Sequence, residues 1–147
     1  MKMKLTLLCL TAIIAAFTAC KSSQSTTATT VTIDGEWRIT EVNGKAIKQE
    51  PGENEAYISL DAKGKKMNGC AGCNRMFGGF DIDTAKKTIK FGNMGMTRMM
   101  CPDMTTEDLV VSTINDVTTY ETAKDGTLTL KSADGKKSIK LTKRTGK

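Results

Sequence analysis

The sequence predicts a mainly β domain, a small closed or nearly closed antiparallel barrel with one helix over an end. Three observations predict it. Short runs of alternating apolar and polar residues repeat from residue 35 onward. Turn pairs such as Asn43-Gly44, Asp125-Gly126 and Asp134-Gly135 separate several of them. One stretch alone, residues 106–116, carries apolar residues at helical spacing.

In chain order, Trp37 and Ile39 share one face of a first strand that ends at the Asn43-Gly44 turn. Ile58 and Leu60 alternate with Ser59 and Asp61, Lys63-Gly64 turns the chain, and Met67 lies on the return strand. Phe80 with Ile82, and Ile89 with Phe91, mark two further strands joined by the polar residues 83–87. The region 117–142 reads as a three-strand meander in which Leu128, Leu130, Ile139 and Leu141 recur at period two. The helix takes Thr105 as its N-cap, with Glu107 and Asp108 in the first turn, where carboxylates favour the helix dipole. Val110, Ile114 and Val117, beside Leu109, supply its buried stripe. Seven or eight short strands and one helix suit a barrel, whose closure removes exposed edges.

Ahead of this domain, residues 1–19 read as a signal peptide. Lys2 and Lys4 precede an apolar run, and Phe17-Thr18-Ala19-Cys20 resembles the cleavage motif of bacterial lipoproteins, with Phe17 where that pattern prefers Leu. Cys20 is then the acylated first residue of the mature chain, carrying chains such as palmitate, and the Ser/Thr-rich residues up to 32 form a flexible tether. The folded domain occupies residues 33–147, a size suited to one core. Lys21 after the lipidated cysteine lacks the Asp that resembles an inner-membrane retention signal. The expected location is therefore the cell envelope, anchored in the outer membrane and facing the periplasm, with surface display open.

The formal charge of +6 falls to +4 once Lys2 and Lys4 leave with the signal. Lysines scattered among acids in hairpin loops do not make a nucleic-acid interface, so no such partner is expected. The chain has no histidine, no cofactor fingerprint and no paired-carboxylate spacing, which argues against the common hydrolytic mechanisms. The expectation is a protein without catalysis, cofactor or small-molecule substrate.

Two segments stand apart: residues 68–79, containing Gly69-Cys70-Ala71-Gly72-Cys73-Asn74-Arg75, and residues 94–102, containing Met96-Thr97-Arg98-Met99-Met100-Cys101. In an oxidising compartment, Cys70, Cys73 and Cys101 leave one disulfide and one further thiol, and spacing alone leaves the pairing open. The glycines at 69, 72, 78 and 79 read as tight turns. Asn74, Arg75 and Arg98 define either an anion or partner site on the barrel rim or an internal lock, with Asp81, Asp83 and Asp103 as available partners for the arginines.

At these residues the chain resembles the META domain family, including its heat-inducible lipoproteins. Gly72 to Arg75 and Met96 to Cys101 match that family's two signatures, and Gly35-Glu36-Trp37 with Val42-Asn43-Gly44-Lys45 fits its first strand and turn. Cys70 departs from the pattern, standing where a small residue such as Ser is expected. The resemblance implies a compact β domain in an envelope protein linked to heat stress and, in some members, drug tolerance or virulence; with no catalytic set in view, action through an unidentified envelope partner is the expectation. It also implies a Cys73–Cys101 bridge, with Cys70 the alternative partner. Two rival functions remain on the residues themselves. Met96, Met99 and Cys101 offer soft ligands for Cu(I), although methionine also serves as adaptable core filler, and a strand here would bury two or three of Met94, Met96, Met99, Met100 and Met104 against Trp37 and Phe91. Cys70 and Cys73 form the Cys-x-x-Cys spacing of thiol oxidoreductases. A third reading, ligand carriage inside the barrel, needs space that Trp37, Phe77, Phe80, Phe91 and the methionines are expected to fill.

Overall fold

The computed structural model describes residues 32–48 and 55–145; the expected signal peptide, Cys20 and all but the last residue of the expected tether lie outside the described residues. Ten strands and one helix follow in order: β1 (Gly35–Val42), β2 (Lys45–Ala46), β3 (Tyr57–Asp61), β4 (Lys66–Cys70), β5 (Arg75–Asp83), β6 (Thr88–Phe91), β7 (Gly95–Met96), α1 (Thr105–Ile114), β8 (Val117–Thr122), β9 (Leu128–Ser132) and β10 (Ser138–Lys143). Eight of them close an antiparallel barrel in the order β1-β3-β4-β5-β6-β8-β9-β10, with β10 returning to β1. The two-residue strands β2 and β7 add to β1 and β5. Closure is uneven. β1 and β10 pair from Trp37↔Lys143 to Val42↔Ile139, whereas β6 and β8 share only Thr88↔Thr119, beside a hydrogen bond of 3.0 Å from the Tyr120 amide to the Lys87 carbonyl.

Alternation along the strands sends one set of side chains inward, as period-two geometry requires. Trp37, Ile39, Ile58, Met67, Met76, Phe80, Ile89, Leu128, Leu130, Ile139 and Leu141 are all buried and fill the interior. Trp37 has its indole N–H satisfied by the Ile33 carbonyl at 2.6 Å. The interior is thus a packed core. Phe77, expected among the fillers, points outward and is 54% exposed.

The turns place the ends. Hairpin tips 62–65, 84–87 and 123–127 lie at one end, as the pairs Asp61↔Lys66, Asp83↔Thr88 and Thr122↔Leu128 require; there the chain also enters β1, since Gly35 pairs with Leu60. The Asn43-Gly44 turn, residues 71–74, residues 133–137 and α1 occupy the opposite end. Asn43, Gly44, Gly126 and Gly135 take positive φ, as the turn pairs predict. At the β3–β4 hairpin the left-handed residue is Lys65, with Gly64 ordinary.

α1 buries Val110, Thr113 and Ile114 over the helix end, and Asn43 donates to the Thr113 hydroxyl at 2.9 Å. Its N-cap is Met104, not Thr105, and makes no side-chain cap bond. Asp103 supplies the missing acceptor by taking the Thr105 amide at 2.8 Å. Of the four glycines read as turns, only Gly72 (φ 115°) sits in one. Gly69 lies in β4, where an added Cβ would run into the Tyr57 carbonyl, and Gly78 and Gly79 lie within a β5 longer than the sequence suggests. Here the absent side chains admit neighbouring backbone, a function that looks the same as a turn in one dimension.

Candidate functional site

At the helix end, the turn of residues 71–74 connects β4 to β5, and the methionine-rich segment runs from β6 towards α1. The structure brings these two motifs together. Met76 pairs with Met96 in the β5–β7 bridge, the Thr97 amide donates to the Arg75 carbonyl at 3.1 Å, and the Arg75 amide donates to the Thr97 hydroxyl at 3.0 Å. Cys73 and Cys101 are joined by a disulfide. Cys70 lies outside that bridge with its side chain fully buried.

Asn74 is the hub. It is 2% exposed. Its amide donates to Glu107 Oε2 at 2.7 Å, and its Nδ2 donates to Glu107 Oε1 at 2.9 Å and to the Met99 carbonyl at 3.1 Å. Its Oδ1 accepts from the Met99 amide at 2.6 Å and from the Thr97 hydroxyl at 2.8 Å. Glu107 reaches this turn from the first turn of α1 and is itself 8% exposed. A buried carboxylate needs donors on both oxygens and gains from the positive end of a helix; Asn74 and α1 supply both conditions. Glu107 is the residue that sequence reasoning missed: an acid in a first helical turn ordinarily faces water, and nothing local marks this one as buried.

The anion-site reading changes accordingly. Asn74 is saturated within the protein and offers nothing to an external anion. Arg75 and Arg98 are both exposed, yet neither meets the acids considered for them. Arg75 Nη1 donates to the Tyr57 hydroxyl at 2.8 Å, while Asp81 pairs with Lys65, Asp83 with Lys86, and Asp103 caps α1. Hydrogen bonds from Thr105 hold the Asp103 carboxyl below the ordinary carboxylate range. The internal lock exists, but its parts are Asn74, Glu107 and the disulfide, because short, rigid groups fit a buried turn better than guanidinium stems.

Around the lock runs an open groove of about 630 Å³, lined by Met94, Met96, Met99, Met100 and Met104, with Arg98 at its side and Asn74 and Glu107 in its floor. Met94 and Met96 pack partly against the core. Met99 is 51% and Met100 93% exposed, so two of the cluster, Met94 and Met96, pack against the core, within the two or three expected, and the later members lie open. Phe77 lies over Gly95 on the adjoining strand, where a Cβ would strike its ring.

The same geometry removes two chemical readings. Cys101 sulfur is bonded to Cys73, so Met96, Met99 and Cys101 do not make a thiolate-bearing Cu(I) set. Cys73 is likewise engaged with Cys101 and Cys70 is fully buried, so the Cys70–Cys73 pair is not the exposed dithiol of an oxidoreductase.

A closed antiparallel barrel with a single covering helix, its two sulfur-rich motifs locked at one end, defines the class. The chain belongs to the META domain family, whose sequence model matches residues 29–145. Solved structures share the fold. The NMR structure of a protein from Burkholderia xenovorans aligns with a TM-score of 0.59 at 18% identity, covering 77% of this chain and 83% of that one. A second NMR structure gives 0.58 at 22% identity, covering 74% and 87%. The crystal structure of a DUF4847 family protein from Bacteroides vulgatus gives 0.52 at 11% identity, covering 78% and 95%. No curated protein matches the sequence.

Proposed function

We propose that the protein is a lipid-anchored, non-catalytic component of the cell envelope that serves in envelope or heat stress and drug tolerance by holding a protein partner in the methionine groove. The observation that carries this reading is the display of Met99 and Met100 on a segment pinned by Cys101 and Asn74. Exposed thioethers on a held segment present an adaptable apolar surface with little ordering left to do when a partner arrives. Cys20 supplies the anchor and keeps the domain at the membrane face.

A photo-crosslinking residue placed at Met100 in cells, with Lys124 at the opposite end as control, tests the groove. A discrete protein adduct at Met100 alone is expected; equal adducts at both positions, or none at Met100, defeat the reading. Cys20→Ser tests the anchor by releasing the chain into the soluble fraction, whereas an unchanged membrane-bound mature product counts against lipidation.

A further inference from the structure

Among the described residues the methionines fall into two sets. Met67 and Met76 point into the barrel and are each 1% exposed. Met94, Met96, Met99, Met100 and Met104 all line the groove at the helix end. Within that groove Met94, Met96 and Met104 are half-buried, whereas Met99 and Met100 are exposed. The thiol chemistry beside them is closed: Cys73 and Cys101 are joined to each other, and Cys70 is fully buried. The sulfur that a dissolved oxidant meets first is therefore a thioether, at Met100 and then at Met99.

Oxidation at these positions leaves the fold's own bonds untouched. Asn74 holds Met99 by its amide at 2.6 Å and by its carbonyl at 3.1 Å, and the disulfide at Cys101 fixes the chain just beyond Met100. None of these contacts uses a methionine sulfur. A sulfoxide on an exposed side chain is solvated by water, whereas at Met67 or Met76 it sets a polar S=O group into the packed interior. The lock thus survives a change that alters the groove surface.

We propose that Met99 and Met100 are modification sites for peroxides, and that their conversion to sulfoxides makes the groove release its partner. With hydrogen peroxide, the thioether lone pair attacks one oxygen, the S–O bond forms as the O–O bond breaks, and the second oxygen leaves with both protons as water. Sulfur gives up two electrons and the peroxide takes them. The site assignment stands on the exposed thioethers and the sealed thiols, while the release rests on the partner reading above. An apolar partner face that packed on two thioethers meets two polar S=O groups after oxidation and has nothing to donate to them.

Two experiments test it. The protein, purified as cells make it, is treated with hydrogen peroxide, and peptide mass spectrometry follows the gain of one oxygen atom at each methionine. Met100 is expected to react first and Met99 next, with Met67 and Met76 unchanged until denaturant is added, and with the thermal transition and the Cys73–Cys101 bridge retained. Reaction at Met67 or Met76 as fast as at Met100 in the folded protein, or unfolding on the first two oxidations, overturns the site assignment. Release is read in cells by a photo-crosslinking residue at Arg98, beside the groove. The adduct is expected to fall several-fold after peroxide in the parent and to persist in Met99→Leu with Met100→Leu, which stays apolar and takes no oxygen; Met99→Gln with Met100→Gln lacks it without peroxide. An adduct that survives oxidation of both sulfurs, or that falls equally in the leucine variant, overturns the release. No adduct in the untreated parent sinks the partner reading and the release with it, while the oxidation order still stands or falls by mass.

Discussion

Asn74 and Glu107 show why single residues dominate this end of the molecule. Replacing Glu107 by Ala leaves two buried N–H donors of Asn74 without an acceptor, at a cost of about 2–3 kcal/mol for unsatisfied groups. Denaturant unfolding of Glu107→Ala and Asn74→Ala measures it, and the double variant is expected to lose much less than the two losses added, because both remove one network. A stability change within about 0.5 kcal/mol for either single variant contradicts the assigned hub. Gly69 makes a second residue-scale case. Gly69→Ala forces β4 away from the Tyr57 carbonyl and is expected to destabilise more than Gly79→Ala, where the nearest atom to the added Cβ is the Lys65 carbonyl oxygen at 3.4 Å.

Among the elements, the disulfide and the thin side of the barrel set local stability. The Cys73–Cys101 loop spans 28 residues, and on the chain-entropy model its removal costs about 3 to 4 kcal/mol. Reduction is expected to leave β1, β3 and β10 protected while the 92–104 segment opens, which limited trypsin cleavage after Arg98 reads directly; equal resistance of the oxidised and reduced chains disposes of the pinning role. The β6–β8 seam has one residue pair where β1–β10 has five. Amide hydrogen exchange is expected to run faster along β6 and the start of β8 than along β1 and β10, since local opening follows the number of cross-strand bonds that must break.

For the whole molecule, acid sensitivity follows from carboxylates that the fold engages. Burial pushes the Glu55 carboxyl up, but hydrogen bonds and charge from Arg38 and Arg144 together outweigh it and leave it below its ordinary value. Backbone and hydroxyl donors hold Asp125 and Asp134 low as well, the Thr127 amide foremost for Asp125 and Ser132 for Asp134. A folded pKa below the unfolded one gives stability that is fully present above the unfolded value and disappears as pH falls through the folded one. Stability is therefore expected to hold near neutrality and to decline below about pH 4.5, with Glu55→Gln flattening part of that decline in a series of thermal unfolding curves. An identical acid profile for the variant and the parent contradicts the Arg38–Glu55–Arg144 linkage.

The strands, the positive-φ turns at Asn43-Gly44, Gly126 and Gly135, and the buried face of the meander were legible because each depends on neighbours a few residues apart. So was the META resemblance, carried by two short motifs. Other features needed partners from distant parts of the chain. Glu107 is buried only because Asn74 arrives 33 residues upstream to meet it, and Gly69 and Gly78 are needed as glycines because backbone from elsewhere in the chain approaches them; Phe77 faces outward because the register of β5 turns Met76 and Phe80 inward. Periodicity thus determined the barrel's elements and their inward faces. Closure of the sheet decided which motif residues became hidden lock and which became exposed groove, because burial belongs to the assembled surface and no local stretch of chain encodes it.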